Sequence, residues 1–179
     1  MATVTLIPTS TTSETGWASS NIHTILDDDS STVAQNASTC NWNGNIEDLD
    51  SSLSGATINS VKVTFKAART NKGNTTADIL LRDDSGSNII AETLSYTDAS
   101  FNPESLETSA VTTQADGSTA LTFSYINDIS LLRITPATTG ITAHHLFVTV
   151  DYTAAVAVTD FPINLTSGKI SLTSGLITI

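Results

Sequence analysis

At 179 residues the chain is long enough for one domain that buries roughly 70 % of its unfolded surface, and too short for two comfortable ones. Only 14 % of its residues are charged, and Ser, Thr and Asn fill the polar share, a composition that suits pleated faces and turns and opposes long helices. Seven basic residues against eighteen acidic ones give a net charge of −11 and a pI near 4.3, which argues against nucleic acid and anionic membrane surfaces as partners.

In chain order, period-two alternation of apolar residues marks the strands. Short versions fall at Val4 to Ile7 and Ile22 to Leu26. From Asp27 to Asn59 the chain is polar, with Val33, Trp42, Ile46, Leu49 and Leu53 as its few anchors, so loops are predicted there with one short strand around Cys40 to Trp42. The clearest strand is Val61 to Ala67, where Val61, Val63, Phe65 and Ala67 face one way and Lys62, Thr64 and Lys66 the other. Further strands are predicted at Ala77 to Arg82, Ile89 to Tyr96, Leu121 to Tyr125, Leu131 to Ile134 and Leu146 to Tyr152.

Turn chemistry separates them at Asn71-Lys-Gly-Asn, Asp83-Asp-Ser-Gly-Ser, Asp116-Gly-Ser and Thr138-Thr-Gly140, each supplying the Gly or Asp that a reversal needs. Single helical turns are expected at Asn102 to Glu107 and within Tyr125 to Leu132. About eight strands without a sustained helix fit an all-β antiparallel sandwich.

Cys40 is the sole cysteine, so no intrachain disulfide staples the fold and hydrophobic packing must hold it. Met1 to Leu6 lacks a basic region leading into an apolar one, and no run is apolar enough to span a bilayer. Synthesis and use without Sec export, with no membrane partner, is the expectation. Asn36-Ala-Ser, Asn74-Thr-Thr and Asn164-Leu-Thr match the glycosylation pattern by chance in a Ser/Thr-rich chain.

Chemistry-bearing motifs are sparse. Asp27-Asp28-Asp29-Ser30 is the densest carboxylate cluster, but adjacent residues of an extended segment point oppositely, and no Gly or distal Glu completes a Ca²⁺ loop. His144 and His145 project to opposite faces in extended chain and cannot chelate one ion. No G-x-S-x-G elbow is present for a Ser-His-Asp hydrolase, and nucleotide, dinucleotide and zinc-ribbon motifs are missing. The reading is therefore a non-enzymatic protein with no catalytic residue, metal or cofactor. Trp17, in Gly16-Trp-Ala, reads as packing. Trp42, in Cys-Asn-Trp-Asn-Gly on a polar stretch, is the better candidate for glycan or interface contact, although core packing or a subunit contact competes with sugar at both positions.

After Tyr152 the alternation passes through Thr-Ala-Ala-Val-Ala-Val-Thr to Phe161-Pro162, where the Pro stops continuous sheet pairing. Ile163-Asn-Leu-Thr-Ser-Gly-Lys and Ile170-Ser-Leu-Thr-Ser-Gly-Leu then form a repeat ending in Ile177-Thr-Ile179. Such short extended units cannot build a core alone. Two regions are thus expected, a β-sandwich over residues 1–153 and an extended C-terminal β arm over residues 154–179. Phe161, Ile163, Leu165, Ile170, Leu172, Leu176, Ile177 and Ile179 are its candidate assembly contacts, made by strand addition to an open sheet edge of a neighbour. Docking of the same segment on its own domain is the alternative.

Taken together, Leu6-Ile-Pro-Thr, Thr15-Gly-Trp17, Ile25-Leu-Asp-Asp-Asp, Ile58-Asn-Ser-Val-Lys-Val, Ala67-Ala-Arg-Thr-Asn-Lys-Gly and Leu146-Phe-Val-Thr-Val-Asp-Tyr resemble, in that order, a recurring module of structural proteins of tailed bacteriophages. The resemblance covers roughly the first 153 residues and departs between Ser109 and Ile129, where Thr-Gln-Ala-Asp-Gly-Ser replaces a Pro-Thr-Gly turn before a Trp-containing segment. It implies a jelly-roll-like sandwich on the virion, assembled in the host cytoplasm and used as a capsid decoration, cement or tail accessory protein, with no catalytic residue. A homo-oligomer is the implied state, a trimer by family analogy, with the major capsid protein or another virion protein as partner. A carbohydrate-binding or host-adhesion module of a tail fibre or spike, using Trp42 and nearby Asn residues, is the alternative from a different functional class.

Overall fold

The computed structural model describes residues 1–27, 31–34, 40–70, 75–98, 100–136 and 140–155. They form a jelly-roll-like antiparallel β-sandwich of two five-stranded sheets, the architecture that the alternation predicts. One sheet runs β1 (Ala2–Leu6), β10 (Ile141–Thr153), β5 (Thr57–Arg69) and β8 (Glu104–Glu107), with β3 (Val33–Ala34) also paired to β10. The other runs β2 (Pro8–Thr15), β4 (Asn41–Ile46), β9 (Ile129–Pro136), β6 (Thr75–Asp83) and β7 (Asn88–Tyr96).

The core lies between the sheets because each strand buries alternate residues. Val61, Val63, Phe65 and Ala67 of β5 and Leu146, Val148 and Val150 of β10 are fully buried. Opposite them lie Ala77, Ile79 and Leu81 of β6, Leu132 and Ile134 of β9, and Trp42 of β4. Each large apolar side chain buried in this way contributes about 1.5–3 kcal/mol. The ring of Tyr96 meets Phe65 edge-on at 5.9 Å, and its hydroxyl donates to the Phe65 carbonyl at 2.8 Å, so the one polar atom of that ring is satisfied inside the core.

Strand β4 is tightly packed around Gly44. Trp42, Gly44 and Ile46 point inward, and a Cβ added at Gly44 would sit 2.2 Å from both the Ser10 carbonyl oxygen and the Trp42 ring. The indole therefore lies over the space that a side chain at residue 44 would take. Trp42 Nε1 donates to Thr11 Oγ1 at 3.0 Å, and that oxygen lies 3.0 Å from His23 Nδ1.

Three local expectations are corrected, and one strand is found where none was expected. Ile22 to Leu26 is not a strand: His23–Leu26 is a helical turn, α1. Ile22 and Leu26 are both buried, a spacing that serves a helix face as well as a strand. The Glu14 carboxylate accepts from the Asn21 and Ile22 amides, with Asn21 at φ 56°, and this starts the turn. Leu121 to Tyr125 is likewise not a strand, because Thr122 caps α2 (Phe123–Asn127), its Oγ1 accepting from the Tyr125 amide. Asn102 to Glu107 is not helical: Glu104–Glu107 pairs with Thr64–Ala67 of β5. Strand β2 was not expected at all, since Pro8–Thr15 has no apolar alternation and is bulged twice.

The Asp83 and Asp116 turns form as the sequence predicts. Asp83 accepts from Ser85 Oγ and the Ser87 amide through one oxygen and from the Tyr125 hydroxyl through the other. Asp116 accepts from the Ser118 and Thr119 amides and the Thr119 hydroxyl. Asn71-Lys-Gly-Asn and Asp28-Asp29-Ser30 lie outside the described residues, as do residues 137–139 of the turn at Gly140. Strand β10 ends at Thr153, and the candidate arm contacts Phe161 to Ile179 also lie outside.

Two measurements check this packing. Gly44→Ala is expected to destabilise by about 3 kcal/mol through overpacking, and Trp42→Ala by about 4 kcal/mol, both read from urea unfolding. Hydrogen bonds hold the Asp83 and Asp116 carboxyls below the ordinary carboxylate range, led by those from the Ser85 and Thr119 hydroxyls, with Asp116 brought to about 2. A carboxyl that titrates lower folded than unfolded stabilises fully above its unfolded value and loses that contribution as pH falls through the folded one. The unfolding temperature is therefore expected to drop between about pH 4 and pH 2, and to drop less in that window for Asp116→Asn.

Candidate functional site

The alternation that buries Trp42 and Ile134 turns their neighbours outward. Across the outer face of the second sheet, cross-strand pairing sets Ser13, Asn43, Arg133, Leu80 and Ala91 in one row, each register partner to the next. A second row holds Thr135, Asp78 and Thr93, with Asn41 paired to Thr15 at the far side. Between the rows lies an open groove of about 540 Å³ lined by Asn41, Asp78, Leu80, Thr93, Arg133 and Thr135, among others. That volume is in the range of small-molecule sites.

The groove mixes a small apolar floor with hydrogen-bonding walls. Leu80 is 8 % exposed and sits beside Ala91 in register. Asp78 Oδ1 accepts from the Thr93 hydroxyl at 2.6 Å, which fixes that carboxylate and leaves its other oxygen free of any such bond among the described residues. Asn43 Nδ2 donates to Ser13 Oγ at 2.6 Å. Glu92 also lines the groove, its carboxylate engaged by the Ser109 amide at 3.0 and 3.1 Å.

Arg133 stands apart from the other described cations. Lys62 pairs with Glu107 at 2.7 Å, Arg69 donates to the Asp98 carbonyl, Arg82 donates to Asn88, and Lys66 is also engaged. The Arg133 side chain has no hydrogen bond or ion pair with any described residue. Its planar fork of five donors is thus half-exposed in the groove and uncommitted.

The sequence-derived candidates fall elsewhere. Trp42 is 0 % exposed, so the expectation of a glycan or interface contact there is corrected: its polar surroundings are the outward Asn41 and Asn43, while the indole itself belongs to the core. Trp17 is buried too, with Nε1 donating to the Asn41 carbonyl at 2.9 Å. His144 and His145 are half-buried on β10, where a bulge separates Ala143 from His145, and the His145 ring lies tilted by 46° against Phe147, 4.7 Å between centroids. Among the described residues no three His, Cys, Asp or Glu side chains converge as metal ligands. Arg133, Asp78 and Thr135 were not singled out, because they lie on separate strands and only pairing brings them together.

No protein-family model and no curated protein matches the chain. Among solved structures it is similar to the C-terminal CBM6 of LamC, a laminarinase of Zobellia galactanivorans, at 8 % identity and a TM-score of 0.46, covering 83 % of this chain and 98 % of that one. It is also similar to a CBM35 from Paenibacillus barcinonensis at 17 % identity and a TM-score of 0.35, covering 87 % and 100 %. Identities this low carry no argument about ligands, and neither likeness bears on the virion-protein resemblance.

Cys40 is buried, and desolvation pushes its thiol up to about 12. A thiol so protonated is a poor nucleophile. Iodoacetamide at pH 8 is expected to leave the folded protein unlabelled and to alkylate Cys40 once urea unfolds it, with the mass increase as readout.

Proposed function

We propose that the chain is a non-catalytic binding module that holds a neutral glycan in the groove on the outer face of its five-stranded sheet β2-β4-β9-β6-β7. One observation carries the reading: an Arg133 guanidinium with no partner among the described residues, beside Asn41, Asp78 and Thr135 and above a Leu80 and Ala91 floor. A sugar ring presents hydroxyls at its rim and C–H groups on its faces. Arg133 and Asn41 supply donors, Asp78 an acceptor, and the hydroxyls of Thr93 and Thr135 can do either. The floor receives the C–H face. A net charge of −11 repels polyanionic glycans at long range, which favours a neutral one.

Screening immobilised neutral glycans and measuring hits by calorimetry tests the proposal. Arg133→Ala is expected to weaken binding by roughly thirtyfold, the equivalent of about 2 kcal/mol for charge-assisted hydrogen bonds. Thr149→Ala, on the other sheet, should leave affinity unchanged. Absence of any glycan ligand at millimolar concentration, or equal affinity of the Arg133 variant, would end this reading.

A second reading is favoured by a different feature. Strand β1 lies at the end of its sheet, carries no charge or proline, and pairs with β10 without a bulge from Ala2 to Leu6. Strand β2, by contrast, is bulged and begins at a proline, and β8 is four residues long with a Glu at each end. Unguarded edges invite strand addition, and the chain leaves β10 beside Ala2, which pairs with Tyr152. A virion shell component, decorating a capsid or tail, would use this edge to take up Ile163, Leu165, Ile170 and Leu172 of a neighbouring copy. Removing Asp160 to Ile179 is then expected to convert an oligomer, a trimer by analogy, into a monomer with unaltered circular dichroism. A full-length chain that sediments as a monomer at all concentrations excludes that mode of assembly.

A further inference from the structure

We propose that His23 is a pH-sensitive latch on the core tryptophan: protonation of its ring removes the acceptor for the Thr11 hydroxyl hydrogen and so weakens the bond that the hydroxyl oxygen accepts from the Trp42 indole. The latch rests on the protons around one oxygen. Thr11 Oγ1 lies 3.0 Å from Trp42 Nε1, 3.4 Å from the His23 amide nitrogen and 3.0 Å from His23 Nδ1.

An indole N–H and a backbone amide can only donate, whereas a hydroxyl offers two lone pairs and one hydrogen. The Trp42 and His23 N–H groups occupy both lone pairs of Thr11 Oγ1, which leaves its hydrogen for His23 Nδ1. That nitrogen is therefore an acceptor, and the neutral ring carries its proton on Nε2. A second proton turns Nδ1 into a donor. Three N–H groups would then face one oxygen, and the hydroxyl hydrogen would meet another hydrogen. Either the imidazolium swings aside or the hydroxyl rotates. A hydroxyl that donates is the better acceptor, so the indole bond weakens even where Thr11 keeps its place.

The placement suits a sensor. His23 is half-buried on α1 while Trp42 is enclosed in the core, and histidine is the side chain whose ordinary charge change falls between about pH 5 and 8. Strands β2 and β10 pack against α1. Glu14 is the one titratable residue of β2, its carboxylate held by the Asn21 and Ile22 amides. Strand β10 brings His144, His145, Asp151 and Tyr152, and Asp27 closes α1. The indole lies over Gly44, and its neighbour Asn41 lines the groove. The latch thus connects the pH of the medium to the strand that forms one wall of the groove. It is a property of the folded chain whatever the groove holds, and its test needs no ligand.

The test is a nuclear magnetic resonance titration of the ¹⁵N-labelled protein from about pH 8 to about pH 5. Ring-nitrogen shifts give the tautomer and the midpoint of each of the three histidines separately, and the Trp42 Nε1–H signal reports its bond. His23 is expected as the Nε2–H tautomer at the alkaline end. The Trp42 signal should move upfield along the His23 midpoint, and its exchange with solvent should quicken roughly fivefold. His23→Asn offers an amide oxygen close to the place of Nδ1 and is expected to hold the Trp42 signal still over the same range. If that variant does not fold, the parent titration alone decides. An Nδ1–H tautomer overturns the latch, as does a Trp42 signal that stays fixed while His23 titrates, follows His144 or His145 instead, or still moves in His23→Asn. A His23 that remains neutral until the protein unfolds overturns it as well.

Discussion

The seating of Trp42 over Gly44 is the constraint on which the second sheet depends. Side chains of a strand alternate with period two, so a slip of one residue would move every inward group to the solvent side. The indole fits only where residue 44 has no side chain, and its Nε1 finds Thr11 only in this register. That register turns Asn41 and Asn43 outward and aligns Asn43 with Arg133. Core and groove are thus two faces of a single fit.

Much of the acid serves the protein's own backbone. Glu14, Glu47, Asp50, Asp83, Glu92, Asp98, Glu104 and Asp116 each accept backbone amides at strand ends or in loops. These groups close donors that neither sheet can satisfy, and in several cases they fix connections that carry little apolar surface. With acids so employed and the other described cations engaged, a guanidinium in a groove with no partner among the described residues becomes informative. The Phe101 loop applies the same device, with Glu104 and Asp98 holding a conformation that the chain would otherwise avoid.

Strands β5, β6, β7 and β10 were legible in the sequence because each has one apolar face and one polar face. Strand β2 was not, since Thr and Ser from Thr9 to Ser13 give no contrast between faces and its register is set by β4. Trp42 was read from its polar neighbours, yet Asn41, Asn43 and Asn45 alternate with Trp42, Gly44 and Ile46, so the inward set was present in the pattern. The groove was invisible for a different reason: Asn41, Asp78 and Arg133 meet through pairing between strands distant in the chain, and no local motif encodes that meeting. Phe101 gave no signal either, because its neighbours in the sequence do not mark a positive φ at a Phe.

Mapping by nuclear magnetic resonance tests the central claim most directly. With the protein labelled in ¹⁵N and titrated with the best neutral glycan from a screen, the account places the largest shifts at the Arg133 Nε–H and the Asn41 side-chain amide, with smaller ones at the Asp78, Thr93 and Thr135 backbone amides. The Trp17 and Trp42 indole signals should stay still. Shifts confined to the outer face of the β1-β10-β5-β8 sheet, or a moving Trp42 signal with Arg133 unaffected, would contradict it.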